Sequence, residues 1–420
     1  MLAIAIVFTL IIICGQIFAY PSDLQNIVTG QFNESVRLHY PLTYVLFAPF
    51  FQFADRVTIL GTSQHIAFGS TVCLVWIAWR IGKRWGTALS LRMILIEIGG
   101  FLCVNLVLFL MFLVVAFIPR PMARIHLDGK DLLAFNIHSH TSASWDARKS
   151  FSPMKNLLWH ERAGFHANFI TDHNVFHGSQ EGRDLSLSRR PRPGMISMRG
   201  EELTLFRSHW ILLGSRTRFY KKPHEIGYEG LNTFLQVVSP AKDQIVVASL
   251  PQYWRDHWDN VDDFIAWGVH GFEIVSASPR ALDFPPRLRS QIVELCRKNN
   301  LLMMGGADSH GLGSTVYVWN LVRFPDWRGI PPEQLEEKLI KLLQQERFKA
   351  VQVVVRHKAV APDRPWMLAF DPLLQVWEGA RSLPKLQALS FLLWIWVPWT
   401  SVKLVRRRKP RTGDTSAIPS

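Results

Sequence analysis

Asn136-Ile137-His138-Ser139-His140-Thr141 follows the apolar run Leu132 to Phe135, and the reading of this stretch decides the fold. A short apolar run ending in polar residues reads as a buried strand, and side chains one residue apart leave the same face of the pleat. His138 and His140 can therefore reach one cation. An isolated His-x-His pair fits two solvated loop histidines as well, so the choice depends on the residues further along the chain.

Other apolar runs with polar residues at their ends recur after it. Pro153 to Ala163 predicts a helix with proline at its start and Gly164 at its end, and Ala167 to Thr171 a strand. Met195–Arg199, Trp210–Leu213, Gln244–Ser249, Phe272–Val275 and Leu301–Gly305 predict further strands, with helices over Pro286–Lys298 and Pro332–Gln345. Strands alternating with helices imply a mostly parallel sheet covered on both sides, and about seven such units favour a closed or distorted α/β barrel.

Sites in such barrels gather at the C-terminal strand ends, where the polar clusters fall. Asp146 follows the histidine pair, Thr171-Asp172-His173-Asn174 closes the second strand, and Gly200-Glu201 closes the third. His209 precedes the next apolar run, and Gly306-Ala307-Asp308-Ser309-His310-Gly311 closes the last. Histidine and carboxylate without cysteine suit zinc, manganese or iron. The four cysteines offer no disulfide framework, since Cys14, Cys73 and Cys103 lie in apolar runs and Cys296 stands alone. No glycine-rich dinucleotide or phosphate loop follows any strand, so no nucleotide cofactor is indicated.

In their order, these motifs resemble the PHP family, named for bacterial polymerase and histidinol phosphatase, over roughly Leu132 to Val355. The resemblance implies a distorted (βα)7 barrel and a site of two or three divalent ions, manganese, zinc or iron. It assigns His138, His140, Glu201 and Asp308 to a first ion and makes Glu201 the bridge to a second, with His209 as a further ligand. Asp146, His173 and His310 belong to a third. It also implies a phosphoesterase that hydrolyses its ester with metal-activated water, with His310 or His173 orienting that water. One position departs from the family. Ser249-Leu250-Pro251 stands where Ala-His-Pro is usual, and leucine cannot ligate a metal. His257 and His270 are the nearby histidines that could substitute. Arg207, Arg216 and Arg218 flank the strand near His209 and offer forks for phosphate oxygens, or equally the charges of a solvated edge strand.

Beyond the barrel the chain reads as membrane. Leu2–Ala19, Val57–Trp79, Met93–Pro119 and Leu386–Val402 approach or exceed the ~20 residues that cross a hydrocarbon core. Thr43–Ala54 is a weaker run, read as an interfacial or re-entrant segment or the start of a further span. The opening run lacks a basic start and a small-x-small cleavage site, so it reads as a retained anchor. The expected organisation is a membrane region of three or four spans over residues 1–119, a metal-dependent barrel over 120–382, and a spanning helix with a basic tail over 383–420. Formal charge is +14, and much of the excess lies in Arg80, Lys83, Arg84 and Arg92 and in Lys403, Arg406, Arg407, Arg408, Lys409 and Arg411. That distribution follows the positive-inside bias, which places both clusters in the cytoplasm and the barrel outside, across a bacterial cytoplasmic membrane.

The expected function is a membrane-anchored metal-dependent phosphoesterase acting on a phosphorylated substrate, a lipid-linked one among the candidates, with membrane lipids as neighbours and nucleic acid not favoured. Two alternatives stand beside it: a metal-dependent hydrolase of another bond, and a degenerate metal-binding sensor, for which Leu250 is the best support.

Overall fold

The computed structural model describes residues 2–83, 90–189, 194–216, 226–360 and 365–408. Its strands in chain order are β1 (Leu24–Asn26), β2 (Val36–His39), β3 (Arg124–Leu127), β4 (Leu132–Asn136), β5 (Ala167–Ile170), β6 (Ile196–Leu205), β7 (Ser208–Leu213), β8 (Ile245–Ala248), β9 (Gly271–Ser276), β10 (Leu302–Gly306), β11 (Val318–Arg323) and β12 (Val351–Arg356). The helices before β3 are α1 (Leu2–Ile17), α2 (Leu42–Leu46), α3 (Ala48–Thr58), α4 (Thr62–Lys83) and α5 (Leu91–Phe117). Those between the strands from β4 to β12 are α6 (Pro153–Ala163), α7 (His177–Ser188), α8 (Tyr228–Val238), α9 (Leu250–His257), α10 (Val261–Ala266), α11 (Pro286–Lys298) and α12 (Pro332–Glu346); α13 (Asp371–Arg381) and α14 (Lys385–Arg408) follow.

Local chemistry explains several boundaries. The Ser152 hydroxyl accepts from the Lys155 amide to start α6, Pro153 needs no amide partner there, and Gly164 ends the helix in the left-handed conformation at φ +88°. β4, β5, β8, β9 and β10 are apolar runs with almost every residue buried, as strands covered on both faces require. β6 runs on past the end expected near Arg199. It turns into β7 through Phe206 and Arg207, both at positive φ (50° and 54°), in a two-residue hairpin. That turn carries neither the glycine nor the asparagine that usually marks such a reversal, which is why the sequence did not announce it.

Ten strands form one curled, mixed sheet in the order β1-β12-β11-β4-β5-β6-β7-β8-β9-β10, while β2 pairs with β3. β4, β5 and β6 are mutually parallel, β7 reverses between β6 and β8, and β8, β9 and β10 are parallel again. β11 runs antiparallel to both β4 and β12. The C-terminal ends of β4, β5, β6, β8, β9, β10 and β12 therefore lie at one end of the sheet. The curl brings β10 back toward β4 and β11. Beyond the strand ends, the His140 amide donates to the Ser309 carbonyl and the Asp308 amide to the His138 carbonyl, each at 2.9 Å. Lower down, the Asn320 side chain donates to Gly305 O at 2.7 Å and accepts from Gly305 N at 2.8 Å. A Cβ at Gly305 would sit 2.4 Å from Val318, so this approach needs glycine.

α4 and α5 are long and apolar enough to cross a membrane; α1 and the apolar part of α14 (Lys385–Val397) are shorter. α4 starts at Thr62 rather than Val57, because Val57 and Thr58 close α3. The Thr43–Ala54 run is split between α2 and α3. Several bonds tie these helices to one end of the curled sheet. Asp283, after β9, accepts from the Ser63 hydroxyl at 2.6 Å; Thr315, after β10, meets Thr58 at 2.8 Å; Arg356, at the end of β12, pairs with Asp55 of α3. These attachment points all belong to the end of the sheet where the C-terminal strand ends gather.

Candidate metal centre

The side chains at that end converge. Glu202 of β6 lies at the middle, with Oε2 3.2 Å from His138 Nε2, 3.3 Å from His140 Nε2 and 3.3 Å from His173 Nδ1, and Oε1 2.7 Å from His209 Nδ1. Asp308 Oδ1 is 3.1 Å from His140 Nε2 and 3.3 Å from His138 Nε2. Asp146 Oδ2 is 3.0 Å from both His173 Nε2 and His310 Nε2. These atoms form three groups that could each hold a metal ion: His138, His140 and Asp308; His173, Glu202 and His209; and His140, Asp146, His173 and His310.

The glutamate differs from the sequence reading, which gave Glu201 the bridging position. Across the β6–β7 ladder Glu201 pairs with Leu212 and Glu202 with Ile211, so the two acids leave opposite faces of the pleat. Glu202 shares its face with His209, its diagonal neighbour on β7. Both acids are buried, and only strand register decides which one meets the histidines.

The chemistry of the donor set fits a cation. His138 Nε2, His173 Nδ1 and both Glu202 oxygens are buried yet form no hydrogen bond, although they lie close together. Buried polar atoms are rarely left so. Here their lone pairs converge on shared space, as ligand atoms do. Burial opposes ionisation of Glu202, but His138, His173 and His209 outweigh it and hold the carboxyl well below its usual range. Burial likewise works against a charged His138, and Glu202, Asp308 and Glu273 overcome it, raising its pKa well above normal. Burial and His310 push His140 down to about 3, whereas Asp308 and Asp146 lift His310 to about 9 against its own burial. Without a metal, protons on some imidazoles thus supply the positive charge that the carboxylates demand.

A buried amide network positions the first two histidines. Asn136 donates to His138 O at 2.9 Å and to Asn168 Oδ1 at 3.0 Å; Asn156 donates to His140 O at 2.8 Å; Asn168 donates to Asn156 Oδ1 at 2.8 Å. The adjacent His160 is held neutral, since burial pushes it down to about 3. Asp172 accepts from the Thr141 hydroxyl at 2.7 Å and so fixes the loop after His140 instead of pointing into the cluster. Asp308 holds its place at φ +44°, an uncommon conformation for a residue with a side chain.

Sequence reasoning missed two groups. Glu273 of β9 lies 3.0 Å from His138 Nδ1 and accepts from the Ser249 hydroxyl at 2.5 Å. The Tyr253 hydroxyl bonds His209 Nε2 at 2.8 Å. Both are near Leu250, which is buried in the main core and adds no ligand. The nearby histidines are structural: His270 accepts from the Val246 amide at 3.1 Å, and His257 packs on Phe206 with Nε2 3.5 Å from Arg207 O. The only signal for Glu273 in the sequence is an acid within an otherwise apolar strand.

The arginines also differ from expectation. Arg207 is exposed at the hairpin turn, Arg216 faces Asp243 at 3.7 Å, and Arg218 lies outside the described residues, as do Arg84, Lys409 and Arg411. Arg280, in the loop after β9, is exposed. Trp145, 75% exposed, stands 5.9 Å from the His173 ring.

No family model and no curated protein sequence matches this chain. Among solved structures it is similar to a Bifidobacterium adolescentis protein assigned as a metal-dependent phosphoesterase, at 17% identity over 42% of this chain and 87% of the other, with a TM-score of 0.34. PsfC from Pseudomonas syringae matches at 15% identity over 58% and 98% of the two chains, with a TM-score of 0.36. An amidohydrolase from Chromobacterium violaceum matches at 14% identity over 42% and 87%, with a TM-score of 0.28. At such distances the functional reading rests on the chemistry of the site.

Proposed function

We propose that this chain is a membrane-anchored, metal-dependent phosphoesterase built on a distorted PHP-type barrel. The observation that carries this reading is the convergence of buried, unbonded imidazole and carboxylate atoms around Glu202. His138, His140 and Asp308 would hold one ion, Glu202 would reach from it toward His173 and His209, and Asp146 and His310 would complete a third position. Divalent ions bound there would supply Lewis acidity toward a phosphoryl oxygen and lower the pKa of water. His310 and His173, each with Nε2 3.0 Å from Asp146, would orient a water there and hold its proton. Arg280, exposed in the loop after β9, has no carboxylate partner among the described residues and would offer a cation to a phosphate, and Trp145 offers an exposed aromatic face 5.9 Å from the His173 ring.

The membrane placement is supported by α4 and α5 and by the apolar residues exposed along α1, α4, α5 and α14. The bundle docks on the end of the sheet that carries the cluster, which suits a substrate presented near the membrane surface. The basic clusters support a barrel outside the cytoplasm. Reporter fusions after Arg124 and at the C-terminus test this orientation, and a cytoplasmic signal from the first would reject it.

The enzyme reading is tested by metal analysis of the purified chain together with hydrolysis of an aryl phosphate, comparing wild type with His138→Ala and Asp308→Ala. Two or more ions per chain, with activity lost in both variants, is the expected result. Bound metal without turnover of a phosphoester panel would overturn the phosphoesterase in favour of other hydrolysis or a sensor. Absence of metal would remove its basis.

A further inference from the structure

Away from the metal centre, α1, α3, α4, α13 and α14 enclose a cavity of about 400 Å³. Its walls are mostly aliphatic and aromatic, among them Ile12, Phe53, Phe68, Val376 and Phe391. That size and lining suit an apolar ligand fixed by a few polar groups. The polar groups in the wall are largely bonded to one another. Gln64 donates to Asp371 at 3.0 Å, and Gln375 donates to Asp371 at 3.3 Å and to Ala359 O at 2.9 Å.

Two charged groups line the wall: Asp371, which the Gln64 and Gln375 amides satisfy, and Arg56. Its guanidinium donates to the His357 carbonyl at 3.0 Å and to the Ser382 hydroxyl, both neutral groups. Among the described residues no carboxylate pairs with it, because its neighbour Asp55 is taken up by Arg120 and Arg356. A half-buried cation without a counter-charge, set in the wall of an apolar cavity, is complementary to a molecule with a hydrocarbon body and an anionic head. Arg56 lies near the C-terminal end of α3, next to the barrel, so the head would sit on the barrel side and the chain between the helices.

We propose that this cavity binds one acyl chain of an anionic membrane phospholipid, with its phosphate on Arg56. The choice of occupant rests on the membrane placement proposed above; the site is separate from the metal centre and makes no use of its chemistry. Gly379 provides the means to test it. This residue lines the cavity, and a Cβ added there would meet nothing within 4 Å, so a large side chain would project into the space without displacing backbone.

The test uses the full chain in maltoside micelles with phosphatidic acid carrying a diazirine in one acyl chain, and the matching photoreactive diacylglycerol as the uncharged control. Crosslinks are mapped by peptide mass spectrometry. In the wild type, label from phosphatidic acid concentrates on α1, α3 and α13 and exceeds that from diacylglycerol about 5-fold. Gly379→Phe removes this label, and Arg56→Gln makes the two lipids label equally. Melting temperature and elution of the full chain as a single species serve as folding controls that depend neither on the cavity nor on the metal centre, so failure of the cavity and failure of the enzyme reading give different results. If Gly379→Phe does not fold, Val376→Phe fills the same space and decides the matter. Label spread evenly over the exposed faces of α4 and α5, or label on α13 that persists when the cavity is filled, would overturn the proposal.

Discussion

Two regions of this molecule bury several charged groups, and they satisfy them in opposite ways. Asp55 itself is fully met. One oxygen accepts from Arg120 and from Thr315, each at 2.9 Å; the other accepts from Tyr44 at 2.6 Å and pairs with Arg356, which also donates to Gln52 at 3.0 Å. Around Glu202, an acid equally buried, the surrounding imidazoles come within reach but leave its oxygens without a hydrogen bond. A count of buried ionisable groups therefore does not separate a joint from a functional site. The direction of the lone pairs does: at Asp55 they are used within the protein, and at Glu202 they converge on space that a cation would fill.

The sharpest way to break this contrast is to alter the two neighbouring glutamates in turn. Glu202→Gln should lose bound metal and aryl phosphate hydrolysis, with an effect beyond the ~10–100-fold typical of residues that only orient ligands. Glu201→Gln, on the opposite face, should keep its ions. Metal titration followed by calorimetry would show the difference, and loss of metal in the Glu201 variant alone would restore the bridging position read from the sequence.

The complementary experiment is Asp55→Asn, which strands two buried guanidinium groups. Removing one partner of a buried pair costs about 3–5 kcal/mol. The melting temperature should fall sharply while metal content per folded chain stays at the wild-type value. A variant that melts normally but loses metal would mean that the joint belongs to the site.

Within the centre, Asn156→Ala frees the His140 carbonyl and should weaken metal binding by ~10–100-fold, with every proposed ligand still present. An unchanged affinity would mean that the amide network serves folding alone.

A further effect concerns pH. Burial lowers His160 to about 3 in the folded chain, so as pH falls below the unfolded value near 6.5 the unfolded state takes up the proton first. Stability contributed by the neutral ring is complete above that value and declines toward pH 3, by about 1.4 kcal/mol per pH unit at most. Denaturant unfolding of metal-free wild type and His160→Gln should therefore differ in slope with pH between about 6 and 4. Parallel slopes would show that His160 protonates in the native fold.

Much of the scaffold is legible from local pattern. The span Pro153–Ala163 and its Gly164 cap, the helix Pro286–Lys298, and the cores of β4, β5, β8, β9 and β10 follow from periodicity, proline and glycine, which act over a few residues. The β6–β7 hairpin is not, because Phe206 and Arg207 adopt positive φ without the residues that usually announce it. β11 and β12 are equally hard to read. They are short apolar runs at the far end of the domain, and the pairing of β11 with β4 is long-range.

The sequence by itself determined which kinds of atoms meet at the strand ends, nitrogen and oxygen without sulfur, and that apolar helices flank the α/β domain. Those properties are carried by residue type and short spacing. Only the tertiary structure decided that Glu202 rather than Glu201 faces the histidines, that Glu273 and Tyr253 join them, that Asn320 ties β10 to β11, and that Arg56 faces an apolar cavity. Each of these depends on register or on contacts between residues far apart in the chain, and a one-residue change of register turns every side chain of a strand to the other face.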